Sequence, residues 1–390
     1  MSVASQVALA SYANMFSIGT AYALSIVQFE LPRLLKVSHE WSFAPFGAVS
    51  AGLAIGVATA ASSISKNGAR SAAARGTALW GLAVLSTGHF LASSNFVGLL
   101  AGLFLGGIGV GWTYLAVIIM VGQAFPNHPL ARSAIGPLGF SSGAAASFAL
   151  SSILRFNMRG AEDIGGFLKI GGVTFMAVGV ATQLLLPSDT INGQPQTTST
   201  PLEKKPEGFV KGTFWILLFF NALPGMVAFS TLLPGVSHYR STDQDSSGNC
   251  LPYTMAALAS GGLLATPLNS ILGTKRTFIV FFSTRAMLLV ALWQTSSQAL
   301  ALLTLCAILF AHGAGFSILP GLIKSRLGEP ANFPREYGRV LTAWGAAGAV
   351  ASGLNATVKS SSGHLETLSL VMGTILLVAV VEMVATPLGM

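Results

Sequence analysis

Apolar stretches recur through this chain about a dozen times, each roughly long enough to cross a lipid bilayer and separated from the next by a short polar break. A hydrocarbon core about 30 Å thick takes about 20 helical residues to span, and backbone polar groups in lipid must be satisfied within the helix itself. The runs fall at 8–28, 43–62, 77–94, 96–122, 132–154, 166–187, 213–235, 252–272, 276–294, 298–322, 338–358 and 366–388. Twelve such helices make an all-α, multi-pass membrane protein. Composition points the same way: with 52% hydrophobic and 9% charged residues in 390, too little polar surface remains to cover a soluble globule. The first run has no basic segment before it and no convincing cleavage site after it, so it is expected to be retained rather than removed as a signal peptide.

The longest polar interruption, 188–212, is rich in Pro, Thr and charge and reads as a flexible cytoplasmic linker. It leaves six helices in an N-terminal bundle, 1–187, and six in a C-terminal bundle, 213–390, the arithmetic of two pseudo-symmetric halves. A short internal match supports the division: Ser63 to Arg70, after the second helix, resembles Asn269 to Arg276, after the eighth. With both termini in the cytoplasm, the inner loops hold thirteen of the 21 Lys and Arg residues and the outer loops six, and this excess predicts that orientation. The net charge of +8 therefore sits where it orients helices, and no nucleic-acid partner is implied. Cys250 and Cys306 cannot make a disulfide framework.

Three sets of segments stand out: Gly19 to Ser25 in the first helix; Gly107 to Tyr114, Phe125-Pro126-Asn127 and Ala131 to Ala134 in and after the fourth; and His312 to Pro320 followed by Tyr337 to Gly345. Together they resemble the major facilitator superfamily and, within it, the oxalate/formate antiporters and their monocarboxylate-transporter-like relatives. The resemblance implies a major facilitator fold in which the first, fourth, seventh and tenth helices line a central cavity and the third, sixth, ninth and twelfth lie outside. On that map the expected substrate-binding residues are Tyr22, Gln28, Trp112, Tyr114, Asn221 and His312. The loop after the second helix, which carries Asp-Arg and Gly-Arg-Arg in typical members, here offers Lys66, Gly68 and Arg70 without the acid. These three, with Arg132, Arg285 and His312, are the expected coupling or gating residues. The eighth and eleventh runs hold no Lys or Arg between 252–272 and 340–358, so a dianion such as oxalate would lack partners there.

Each of these residues also has a structural reading. His312 sits in mid-helix among small residues, where it either couples substrate to protons or simply hydrogen-bonds a neighbouring helix. Asn221 precedes Pro224-Gly225, a break exposing carbonyls to substrate or a packing kink. Arg285 is an intramembrane charge that either serves function or pairs with a polar group of another helix. Gly102, Gly106, Gly107 and Gly111 are spaced for close helix packing, not for binding a nucleotide. No metal, cofactor or catalytic constellation is legible, which excludes an intramembrane enzyme, and the chain's end at Met390 directly after its last helix weighs against a non-transporting sensor. The expectation is a monomeric secondary transporter, most simply of the plasma membrane. It would move a small organic solute, a monocarboxylate-like anion or alternatively a secondary metabolite or toxin for export, coupled to protons or a counter-substrate.

Overall fold

The computed structural model describes residues 2–24, 31–157, 160–186, 207–232, 251–294, 298–327, 332–361 and 365–385, and every regular element among them is a helix. In chain order these are α1 (Val3–Gly19), α2 (Leu31–Leu35), α3 (Ala44–Ala92), α4 (Phe96–Ala124), α5 (Pro129–Asn157), α6 (Ala161–Leu185), α7 (Glu207–Val227), α8 (Leu251–Leu272), α9 (Thr274–Gln294), α10 (Gln298–Leu327), α11 (Phe333–Ser361) and α12 (Leu365–Ala385). Eight helical segments are long and apolar enough to cross a bilayer by length and composition, and α3, at 49 residues, is long enough to cross twice. With α1, which a 3₁₀ turn prolongs to Ala23, and with α5 and α11, twelve helical stretches match the expected crossings: α1, the two limbs of α3, and α4 through α12. The helices α5 and α11 have the length to span but are diluted in hydropathy by Ala, Gly and Ser, as suits helices that pack between others rather than against lipid.

Three local features depart from the sequence expectation. The polar break expected between 62 and 77 is helical on both sides of Gly68, which alone interrupts α3 with φ 79° and ψ 156°. Ala, Ser and Arg around it are adequate helix formers, so the chain turns at a residue lacking a Cβ. The seventh helix starts at Glu207, inside the expected 188–212 linker; most of that linker lies outside the described residues. Pro224 does not open α7; the helix continues past it and widens into a π-helical turn, Ala228–Leu232.

The internal repeat is physical. Gly68 and Gly273 are the glycines with positive φ among the described residues, and each joins corresponding helices of the two halves. The helices α5 and α11 are both 29 residues long. Within the first half α3 packs on α4 and α6, and α1 on α5; within the second, α8 packs on α10 and α9 on α12. The halves meet along two seams, α3 with α11 and α5 with α8. The outer position expected of the sixth and twelfth crossings agrees with the apolar side chains they expose, Ile170, Val173, Val180, Leu184 and Leu185 on α6 and Leu377, Val378, Val381 and Val384 on α12.

Candidate functional site

The two seams leave a centre where α1, α4, α5, α7, α10 and α11 converge, and it is filled by aromatic side chains. Tyr22 sits in the 3₁₀ turn Thr20–Ala23 that extends α1. Its ring stacks on Phe229 of the π turn at 3.9 Å between centroids and meets Phe140 of α5 edge-on at 4.9 Å. Trp344 of α11 lies edge-on to Tyr114 of α4 and to Phe316 of α10, both at 5.0 Å. Edge-to-face and offset contacts of this kind add modestly to the burial of each ring.

One polar corner breaks this apolar surface. The Trp344 indole N–H donates to the Tyr22 hydroxyl at 3.2 Å, and that hydroxyl shares a hydrogen bond with His312 Nε2 at 3.1 Å. Tyr22 belongs to the first half and the other two to the second, so the corner is itself a contact between halves. His312 is 3% exposed; its Nδ1 abuts Gly225 and finds no hydrogen-bond partner. A buried nitrogen left unsatisfied costs about 1–3 kcal/mol, a cost the surrounding packing has to offset.

Behind the corner lies a second layer. Asn221 donates its side-chain N–H to the His312 carbonyl at 3.4 Å. Arg285, fully buried on α9, donates to the Asn221 carbonyl at 3.0 Å, to Asn221 Oδ1 at 3.3 Å and to the Phe281 carbonyl at 3.1 Å, and lies 5.1 Å from the Phe282 ring centroid. The guanidinium thus keeps its charge within the bundle, held by neutral oxygens. Among the described residues, Asp and Glu occur only near helix ends, none in mid-bundle.

Of the expected site residues, Tyr22, Tyr114 and His312 converge on one cavity, whose wall also includes Pro137, Phe140, Leu258, Phe316 and Trp344. Asn221 stands one layer behind. Trp112 faces the first limb of α3 instead, donating to Thr59 Oγ1 at 2.9 Å, and Gln28 lies outside the described residues. Among the expected gating residues, Lys66 is exposed beside the Gly68 turn, Arg70 donates to the Leu186 carbonyl, and Arg132 is half-buried at the start of α5. Beside it, Ser133 accepts at its carbonyl from Ser317 of α10 at 3.2 Å, at the α5 seam. The sequence reading passed over Phe140 and Trp344 as site residues, although each is the twelfth residue of its helix, at matching places in the two halves.

The cavity holds about 40 Å³, and a second one on the far side of Tyr22, Phe140 and Trp344 holds about 20 Å³. A water needs about 10–15 Å³ by this measure, so the centre is closed and admits a metabolite only when the aromatic wall or the halves move apart.

No protein-family model and no curated protein sequence matches the chain. Solved structures do match in fold. A proton:xylose symporter, XylE, bound to 6-bromo-6-deoxy-D-glucose is 12% identical with a TM-score of 0.71, over 97% of this chain and 95% of that one. A D-xylose-proton symporter is 13% identical with a TM-score of 0.74, over 98% and 97%. The E. coli fucose:proton symporter FucP is 15% identical with a TM-score of 0.61, over 95% and 97%. Twelve crossings in two related halves, meeting along α3 with α11 and α5 with α8 and aligned end to end with these structures, give this membrane protein the major facilitator fold.

Proposed function

We propose that this protein is a secondary transporter that moves a small organic monoanion by alternating access, its halves 1–187 and 213–390 rocking about the Tyr22, His312 and Trp344 corner while the 188–212 segment links them. The observation that carries the charge of the solute is the one-sided chemistry of that corner. The corner is built of N–H and O–H groups, Trp344 donating to the Tyr22 hydroxyl and that hydroxyl sharing one proton with His312, which an entering carboxylate could draw to itself; it is backed by an unneutralised guanidinium, with no mid-bundle carboxylate among the described residues. A carboxylate needs donors and positive potential. A sugar such as those named for the matching symporters needs both donors and acceptors around a polyol, and this wall is mostly aromatic. The resemblance to oxalate/formate and monocarboxylate transporters favours the same class, and among the described residues Arg285 is the one buried Lys or Arg, which argues for one negative charge.

His312 is the residue for proton coupling, since a proton on its ring and an entering carboxylate neutralise one another. Lys66, Gly68, Arg70 and Arg132 would gate the end of the bundle that the Lys and Arg count places in the cytoplasm, in the plasma membrane. A second reading, export of a hydrophobic metabolite, is favoured by the aromatic wall alone. Uptake into proteoliposomes of labelled pyruvate, lactate, oxalate, xylose and a hydrophobic metabolite, with and without a pH gradient, tests both. The expected result is monocarboxylate accumulation at least about tenfold over empty liposomes, lowered about tenfold by His312→Ala. Movement of xylose without pyruvate or lactate would overturn the anion reading, and movement of the hydrophobic compound alone would favour the exporter.

A further inference from the structure

The cavity on the far side of the aromatic wall has a chemistry of its own. Besides Tyr22, Phe140 and Trp344, which it shares with the polar corner, it is lined by Phe46, Val49, Leu53, Val110 and Met226. Of the two hydroxyls in its lining, that of Ser50 donates to the Phe46 carbonyl at 2.8 Å and that of Tyr22 is engaged by His312 and Trp344 in the polar corner. The rest of its wall is apolar, and a mainly apolar chamber beside a donor cluster matches a solute with two unlike ends. Met226 is an unbranched thioether able to reshape around an inserted group, and it lies at the end of α7, two residues before the π segment.

We propose, on the basis of the organic-anion reading above, that this chamber is an apolar subsite for the body of the substrate, so that the transported solute is a monocarboxylate bearing an aromatic ring or a branched chain of similar size. The carboxylate meets the Tyr22, His312 and Trp344 donors, and the apolar end passes the shared wall toward Phe46 and Met226. Swinging Tyr22 or Trp344 joins the two cavities into one elongated site, so binding and opening of the wall are a single event.

The test compares pyruvate with phenylpyruvate, which share one carboxylate and one keto group and differ by a phenyl ring. Calorimetric titration of the purified full chain in detergent at pH 7.5 should give phenylpyruvate a Kd at least about tenfold lower, the scale expected from burying one phenyl ring. Met226→Trp and Leu53→Phe, each filling the chamber, should bring the ratio of the two Kd values close to one. Equal wild-type affinities would overturn the subsite while leaving the anion reading standing, as would a preference that both filling variants preserve. Failure of both acids to bind, alongside binding of xylose, would instead bring down the anion reading on which the subsite rests.

Discussion

Arg285 is the residue whose presence needs the strongest physical reason. Taking a guanidinium out of water costs several kcal/mol unless a partner compensates, and its partners here are two backbone carbonyls and one amide oxygen. Packing alone would be served by an uncharged side chain. A fixed charge one residue behind the His312 corner favours an anion there by about 1–2 kcal/mol at the effective dielectric of such sites. Arg285→Gln, which retains donors to Asn221 but removes the charge, should therefore raise the KM for the transported anion about tenfold while shifting the thermal midpoint little. Arg285→Lys should fall between the two, keeping the charge but losing the fork that holds both Asn221 oxygens. Equal losses in Lys and Gln would make the role geometric, and a normal KM in Gln would remove Arg285 from the mechanism.

The helices themselves turn on two glycines. Gly68 carries φ 79° with ψ 156°, a region that residues with a Cβ enter at a cost of about 1–3 kcal/mol, and Gly273 carries φ 73° at the corresponding turn of the second half. Gly68→Ala and Gly273→Ala should each lower the midpoint of thermal aggregation in detergent. Gly122→Ala, in the last turn of α4 with nothing within 4 Å of an added Cβ, should leave it unchanged or raised. Loss of stability in Gly122→Ala equal to that in Gly68→Ala would refute the backbone argument. These turns also mark what the sequence made legible. Twelve apolar runs were readable because lipid demands continuous apolar helices, and the Gly68 and Gly273 segments because a similar polar break recurs at corresponding places in the two halves. The cavity and its polar corner were readable in part, through Tyr114 in the wall and Tyr22 and His312 in the corner, because polar groups are rare in such helices. Trp112 misled for the same reason: a polar tip on a cavity-bearing helix marks the helix, while its rotation about the axis, which turns Trp112 toward Thr59, is set by packing between helices. Phe140, Phe229 and Trp344 stayed hidden among the chain's aromatic residues, because their role comes from convergence across both halves.

For the whole molecule the decisive question is whether the halves separate. The α3 and α11 seam is tight along its length: an added Cβ at Gly345 would lie 2.5 Å from the Ser50 carbonyl oxygen and 2.6 Å from Ala54, and the Ser352 hydroxyl donates to the Phe43 carbonyl at 2.6 Å. Such a seam either stays closed as a static core or parts at one end when the centre opens. Gly47 and Ser352 distinguish these, because a Cβ built on Gly47 lies 3.1 Å from the Ser352 Cβ, close to the 3.5–4.5 Å that a disulfide requires. In a background of Cys250→Ser and Cys306→Ser, the Gly47→Cys and Ser352→Cys pair should cross-link under mild oxidant. If the halves rock, the oxidised protein loses net uptake by at least about tenfold and regains it on reduction, because the cross-link holds that end of the seam shut. Each single cysteine variant should transport regardless of redox state, which separates the lock from damage by substitution. Full uptake in protein shown by mass spectrometry to be cross-linked would mean that the Gly47 end never opens, and access to the Tyr22, His312 and Trp344 corner would then have to come by side-chain movement alone.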